Sequence, residues 1–577
     1  MEKTAQQRYQ DWMESDVLDE ASKQELAAIA SDGKEIEERF YRYLGFGTAG
    51  MRGIIGAGTN RMNLYTVRHA SQGLAQYVLA KDGADKGVVI GYDTRYYSDT
   101  FARETARVLV ANGIRVYLFT TIHATPEVSF AIRYYGSASG VMITASHNPK
   151  EYNGYKAYGP DGAQLPPEGS DMISSFLEKI DIFDGIKLIS DEELDSSPLL
   201  TRIGEEVDEA FLNAVQKISI DSDVIRSVAD DFKLVYTPFH GTGLRPVTEI
   251  LRRIGVKNVI VEPNQAKPDP AFPTVVSPNP ENPEGFAMAI ELAKKENATI
   301  IVGTDPDADR VGVVVRDAEG EYRVLTGNQT GALLCEYILS SKQAKGLLSP
   351  KSTIITTVVT SDIGRVIAAH YGVQVVDVLT GFKWIAEKIA QFEETGSNVY
   401  ELGYEESYGY LPGTYARDKD AVGTVMLIAE MAASYQAKGM TLYDALMALY
   451  EKYGYYEDKT VSVVMPGKDG MQKMADMMAR VRSDMPSELG GVAIKTRQDF
   501  LSSKQYNADG SVEPIKDIPS SDVLKFMLAD DKTFVAIRPS GTEPKIKLYL
   551  SSAAESHNEA QSQVNYLLGA VRSYLGL

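Results

Sequence analysis

Cysteine is almost missing. The 577 residues hold one, Cys335, which excludes an intrachain disulfide and any cysteine-rich zinc site. A reducing, cytoplasmic setting is the expectation that follows. No apolar run is long enough to cross a bilayer, and the longest ones read as buried strands. The amino terminus, MEKTAQQRYQDWMESD, is polar with mixed charge and has no apolar signal-peptide core. Neither a membrane partner nor export is expected. Basic residues are in deficit: 59 Lys and Arg against 79 Asp and Glu give a formal net charge of −20. Binding to a phosphate backbone needs clustered cations, so nucleic acid is excluded as a general partner. A small anion is not excluded, because a local basic pocket acts over short distances at physiological salt. Low-complexity segments and short solenoid periods are also lacking.

What is present is an ordinary globular composition, 44% hydrophobic and 24% charged, in a chain long enough for roughly four domains. After a charged helical arm at about 5–30, strand and helix patterns alternate. Val88–Gly91, Ile114–Phe119 and Gly140–Ile143 read as strands, with helices over 99–112 and from Thr125-Pro126 onward. The pattern restarts with strands Leu234–Tyr236, Val256–Val261 and Thr299–Val302 and a helix Glu284–Lys295. It restarts again with Thr353–Val359, Val373–Val378 and Val399–Leu402, and helices at 361–371 and 382–393. The last part differs: strands at 459–465, Phe534–Ile537 and Ile546–Leu550, a Met-rich helix at 468–485 and a final helix. The predicted class is α/β, with three similar α/β domains (1–200, 201–325, 326–457) of mixed, mostly parallel sheets. A smaller C-terminal α+β domain, 458–577, completes them around a central cleft.

Each predicted domain sets one unusual loop directly after an apolar strand, where ligands bind in open α/β sheets. The first is Thr144-Ala145-Ser146-His147-Asn148-Pro149, with Lys156 close behind. A serine hydroxyl needs a base or an electrophile to act as a nucleophile, and His147 adjoins it; taken alone, the hexapeptide favours a capped turn stopped by Pro149. The second is Asp305-Pro306-Asp307-Ala308-Asp309-Arg310. Three carboxylates at alternate positions on a tight loop can converge on a hard cation such as Mg²⁺, and without one they repel. An EF-hand is excluded, since the sixth position is Arg310, the twelfth is Arg316, and strands flank the loop. The third is Gly403-Tyr404-Glu405-Glu406-Ser407-Tyr408-Gly409, where Glu405 and Ser407 point the same way and suit sugar hydroxyls; an acidic hairpin rim explains it as well. The fourth is Arg538-Pro539-Ser540-Gly541-Thr542-Glu543-Pro544, followed by Lys545 and Lys547. Hydroxyls, backbone N–H groups and a guanidinium make a phosphate cradle, with a Pro-Gly hairpin turn as the rival reading.

In this order and spread, TASHNP, DPDADR, GYEESYG and RPSGTEP resemble the active-serine, metal, sugar and phosphate loops of the α-D-phosphohexomutases. Gly47-Thr48-Ala49-Gly50-Met51-Arg52-Gly53 and Thr380-Gly381-Phe382-Lys383 add to the likeness, which spans residues 44 to 550. FGTAGMRG and YDTRYYS are similar to the longer phosphoglucomutase and phosphopentomutase branch. The resemblance implies that Ser146 carries a phosphoryl group and, with Asp305, Asp307 and Asp309, holds one Mg²⁺. It sets Arg52 and Arg310 beside the transferring phosphate, Lys156 as general acid/base and His147 next to the serine. Thr380, Gly381, Lys383, Glu405, Ser407, Arg417 and Lys419 fall at sugar- or phosphate-contacting positions, and Arg538, Ser540, Gly541, Thr542 and Lys547 at the distal phosphate loop. Many relatives have arginine where this chain has Lys547, which keeps charge but loses bidentate geometry. The implied activity interconverts glucose 1-phosphate and glucose 6-phosphate through glucose 1,6-bisphosphate, with mannose or pentose phosphates as alternative substrates. Burial of Lys156 beside cations is expected to favour its neutral form. A phosphoserine-using phosphatase and a non-catalytic sugar-phosphate sensor are the readings from other classes. The sequence leaves the oligomeric state open.

Other residues receive structural readings. Asp93 and Arg95 are expected to form a salt bridge supporting the serine loop. His240 reads as a hydrogen-bonded residue of a turn. Cys335 and the Met-rich helix read as core. His69, His123, His370 and His557 show no metal-ligand spacing and receive no role.

Overall fold

The computed structural model describes residues 3–47, 50–465, 469–540 and 545–577. The chain divides into two compact units: Met1–Leu325 with Ala386–Thr395 and Tyr408–Gly439, and Thr326–Ile385 with Gly396–Ser407 and Met440–Leu577.

In the first unit, one sheet holds β1 (Gly50–Ile54), β2 (Val88–Tyr92), β3 (Val116–Phe119), β4 (Ser139–Ile143), β5 (Tyr152–Tyr158) and β6 (Leu200–Ile203), in the order β1-β5-β4-β2-β3-β6. Strands β4, β2, β3 and β6 run parallel; β5 and β1 are antiparallel additions at one edge. Alternation explains why the central strands read as continuous apolar runs. Val88 and Ile90 enter one core with Leu74 and Leu109, while Val89 enters another with Val128, Ile132 and Val207. A second sheet has β7 (Lys233–Thr237), β8 (Asn258–Val261), β9 (Ile300–Thr304), β10 (Val311–Arg316) and β11 (Tyr322–Val324), ordered β11-β10-β9-β7-β8. Here β7, β8 and β9 are parallel, and β9-β10-β11 form an antiparallel meander.

The second unit has a parallel set in which β12 (Ser352–Thr357) lies between β13 (Gln374–Val378) and β14 (Val399–Tyr404). Its C-terminal part is an antiparallel sheet including Tyr455–Val464, Val492–Asp499, Leu524–Leu528, Phe534–Pro539 and Lys545–Ala554. Three α/β arrangements with mixed sheets plus a final α+β part thus match the expected class. No helix of the described residues is long and apolar enough to cross a membrane.

The expected arm at 5–30 is instead a set of short helices, Ala5–Glu14, Glu20–Ala28 and Gly33–Phe40. Capped starts at Thr4, Asp19 and Asp32 break it, each side chain accepting from a backbone N–H of the first turn. The set is not free: Trp12 packs edge-on against Phe40, Tyr65 and Phe183 at 5.4–5.7 Å. Strands β1 and β5 were not foreseen either, nor were the hairpins within 488–514. The Met-rich helix, Gly470–Ser483, buries Met474 and Met478 in the C-terminal core, and Cys335 is fully buried, both as expected.

Candidate active site

Strands β4 and β5 are an antiparallel hairpin whose connection is the serine loop, with Met142 opposite Lys156. Ser146 sits in the left-handed region at φ +51°, a conformation that costs on the order of 1–3 kcal/mol and must be held by its surroundings. Arg95 does the holding. Its buried guanidinium donates to the carbonyls of Ser146 (2.6 Å), Asn148 (2.5 Å), Pro149 (2.9 Å) and Tyr152 (3.1 Å). Asp93 pairs with it at 3.3 Å and also accepts from the Thr144 hydroxyl at 2.6 Å. The Thr144 oxygen in turn accepts the Ser146 N–H at 2.8 Å. The expected salt bridge is therefore present. Gly154 is required here: a Cβ would lie 2.5 Å from the Thr144 carbonyl oxygen.

The second loop joins β9 to β10, with Thr304 opposite Val311. Pro306 is cradled by the loop after β7, where Thr242 donates to its carbonyl through N–H (2.8 Å) and hydroxyl (2.9 Å). His240 lies between the Lys267 carbonyl (3.0 Å) and the Thr274 hydroxyl (2.8 Å), the structural part assigned to it. The Ser146 hydroxyl is 2.9 Å from Asp305 Oδ2 and 3.1 Å from His147 Nδ1. Asp305, Asp307 and Asp309 are buried, each offering an oxygen within 4.8 Å of the others. Oδ1 of Asp307 and Oδ1 of Asp309 accept no hydrogen bond among the described residues. Buried carboxylate oxygens left in this state fit a hard cation with oxygen ligands.

Charge is arranged around this cage. Lys156 Nζ is 2.8 Å from Asp307 Oδ2 and 3.2 Å from Asp309 Oδ2, and Lys419 Nζ is 3.0 Å from Asp309 Oδ2. Burial, with the charges of Asp307 and Asp309, raises the Asp305 carboxyl well above its ordinary range. Burial acts the same way on Asp309, but Lys419 and Lys156 overcome it and hold that group low. The neutral Lys156 expected from neighbouring cations is not what results. Burial favours neutrality, yet the carboxylates of Asp307 and Asp309 outweigh it and raise the ammonium's pKa. Burial, then Arg310 and Arg52, push His147 well down, so its ring is neutral. Arg52 reaches the Asn148 side chain at 3.0 Å, and Arg310 pairs with Glu281 at 2.6 Å.

Lys419 and Arg417 come from a segment, 408–439, that packs in the first unit. Lys419 lies on Asp309 and Asp418, and Arg417 donates to the Ala416 carbonyl and pairs with Glu393. In the second unit, the Gly381 N–H donates to Glu405 at 2.8 Å, joining the Thr380–Lys383 turn to the third loop. Lys383 lies over the Trp384 ring at 4.9 Å, and Ser407 is half-buried. Arg538 is opposite Lys547 across its hairpin, and the Ser540 N–H donates to the Lys545 carbonyl at 2.8 Å. Burial, with the charges of Glu406 and Glu405, pushes the Tyr549 hydroxyl up, and Arg538 opposes them. Gly541 and Thr542, like Thr48 and Ala49 of the first glycine segment, lie outside the described residues.

Several groups at the first-unit site have no sequence signature. Ser277 donates to the His147 carbonyl at 2.8 Å, Glu281 meets Arg310, and Phe272 lies 5.1 Å under the Arg95 guanidinium, all from one proline-rich loop. A string of prolines between two strands was the available signal. His123, passed over for want of spacing, meets Glu127 and Asp208 in a buried cluster. Its ring nitrogens lie 2.8 Å from the Thr121 carbonyl and 2.9 Å from Asp208; burial lowers its pKa, but Asp208 and Glu127 outweigh that and raise it.

Chemistry-bearing loops gathered beyond parallel strand ends are the build of an α/β enzyme. Known proteins define it further. Models of the phosphoglucomutase/phosphomannomutase alpha/beta/alpha domains I, II and III match residues 44–182, 209–320 and 326–453. A phosphoglucomutase of Staphylococcus aureus (strain MSSA476) is 37% identical over 537 residues, 92% of this chain and 94% of its own. One from Staphylococcus haemolyticus (strain JCSC1435) is 36% identical over 534 residues, 92% and 95% of the two chains. The crystal structure of Paramecium pp63/parafusin, a phosphoglucomutase in an open form, superposes at a TM-score of 0.69 with 17% identity. It covers 93% of this chain and 95% of that one. A phosphoglucomutase/phosphomannomutase family protein from Burkholderia thailandensis gives 0.64 at 18% identity, covering 92% and 97%. The chain belongs to the phosphoglucomutase/phosphomannomutase family, the α-D-phosphohexomutases. It is a mutase, an isomerase.

Proposed function

We propose that the chain interconverts α-D-glucose 1-phosphate and glucose 6-phosphate through a phosphoserine at Ser146 and glucose 1,6-bisphosphate. The observation that supports the nucleophile is the Ser146 hydroxyl 2.9 Å from Asp305 Oδ2, at the mouth of the three-aspartate cage. In the return half-reaction, Ser146 Oγ forms a bond to phosphorus as the bond from phosphorus to the sugar oxygen breaks. The hydroxyl proton goes to Nδ1 of the neutral His147 ring, 3.1 Å away, and the Lys156 ammonium protonates the departing sugar oxygen. Lys156 is then neutral and takes the proton of the accepting hydroxyl in the next forward transfer. Asp305, Asp307, Asp309 and an oxygen on Ser146 would hold Mg²⁺, which when bound offsets charge on the transferring phosphoryl oxygens. Arg52 and Arg310 face the same charge. Sugar contacts from Thr380, Gly381, Lys383, Glu405 and Ser407, and distal phosphate contacts from Arg538, Ser540, Gly541, Thr542 and Lys547, belong to the proposal by family resemblance, as do Arg417 and Lys419.

Ser146→Ala tests it. Turnover of glucose 1-phosphate is expected to fall about 10³-fold or more with the circular dichroism spectrum unchanged; substantial residual mutase activity refutes the nucleophile. Parallel kinetics on glucose, mannose and ribose 1-phosphates decide the sugar, and a higher kcat/KM for either of the last two moves the assignment there. Release of free phosphate without isomer formation would make it a phosphatase instead.

A further inference from the structure

Helix Thr125–Tyr135 belongs to the first sheet's layers, yet its first residue reaches the loop of the second. The Thr125 N–H donates to the Asp307 carbonyl at 2.8 Å, and the Thr125 hydroxyl donates to Asp307 Oδ2, also at 2.8 Å. Lys156 shares that same Oδ2. Asp307 therefore has one oxygen saturated by two donors and the other, Oδ1, buried without a hydrogen bond among the described residues. We propose that Thr125 is a positioning residue for the cation cage. It fixes the rotation of the Asp307 carboxylate, so that Oδ1 is the oxygen left for the ion.

The grip is rigid because Thr125 is itself held from behind. The His123 N–H donates to the Tyr92 carbonyl at 3.0 Å, and the His123 ring is pinned between Thr121 and Asp208. Glu127 accepts the Ala124 N–H at 2.8 Å. Pro126 narrows the backbone of the residue before it, and a β-branched side chain is stiff at χ1. A hydroxyl so constrained is directed at a fixed point. Partners that orient ligating carboxylates tune metal sites as strongly as many ligands do, and removing one typically costs 10–100-fold in affinity.

This rests on the reading that the three aspartates hold Mg²⁺, and the test separates the two. Mg²⁺ is titrated into wild type, Thr125→Val and Thr125→Ser by calorimetry, with Tm measured in EDTA and at increasing Mg²⁺. Thr125→Val, which keeps the shape and the backbone contact, is expected to weaken Mg²⁺ binding about tenfold or more. Its EDTA Tm should stay near wild type, and Thr125→Ser should bind within about threefold of wild type. Should Thr125→Val fail to fold, Thr125→Ala is read against Thr125→Ser in the same way. Equal Mg²⁺ affinity in wild type and Thr125→Val overturns the proposal, as does a serine variant weakened as much as the valine one. Wild type that takes up no Mg²⁺ overturns the cation reading itself, and this inference with it.

Discussion

Arg95 organises the serine loop more than any residue within it, since one guanidinium donates to four carbonyls at once. Lysine at this position keeps the charge opposite Asp93 but cannot span them. Arg95→Lys should lower kcat by on the order of tenfold or more and reduce stability by about 2–3 kcal/mol, read by steady-state kinetics and denaturant unfolding. Unchanged kcat would show that the left-handed backbone of Ser146 holds itself. At this scale the sequence was informative where chemistry is concentrated in consecutive residues, as in Asp305-Pro306-Asp307-Ala308-Asp309. It was silent where partners are remote: Thr125 and Asp307 stand far apart in the chain. The charge state of Lys156 is not legible in the sequence for the same reason. Its neighbours in sequence say nothing of the two carboxylates that meet it in space.

Elements were legible where both faces are buried, because strands such as β2 and β9 are then short unbroken apolar runs. Strands β1 and β5, GMRGI and YNGYKAY, escaped because glycine and lysine obscure any such run, although pairing makes them regular. Helix Ala421–Gln436 makes a separate prediction. Its cap, Asp420, accepts from the Val422 and Gly423 N–H groups at 2.7 and 2.9 Å and from the Tyr415 hydroxyl. Burial nevertheless raises its carboxyl from 3.8 to about 6. The folded state thus holds this proton more tightly than the unfolded chain does. The contribution to stability is complete below pH 4 and is lost as pH rises through about 6. Asp420→Asn, which caps comparably and does not ionise, should gain on wild type by on the order of 3 kcal/mol between pH 4 and 7.5. Thermal melts across that range check it; a gap that narrows as pH rises would contradict it.

For the whole molecule, the number of α/β layers could be read from repeated strand–helix alternation, but the path of the chain between them could not. Residues 408–439 follow β14 of the second unit and then pack in the first, where helix Ala421–Gln436 meets helices Leu244–Arg253 and Glu205–Gln216. An apolar helix looks the same in sequence whichever sheet it covers. Native-state hydrogen exchange should show the amides of 421–436 opening together with those of β9 and Leu244–Arg253. Protection that instead followed Gly327–Ala344, in the second unit, would contradict that grouping. The returning segment also sets a clock on biosynthesis. At 5–20 residues per second, the ribosome needs roughly 6–23 s after Leu325 to deliver Gly439. Through that interval the nascent first unit has the three-aspartate loop but neither Lys419, which pairs with Asp309, nor the helix that packs on Leu244–Arg253.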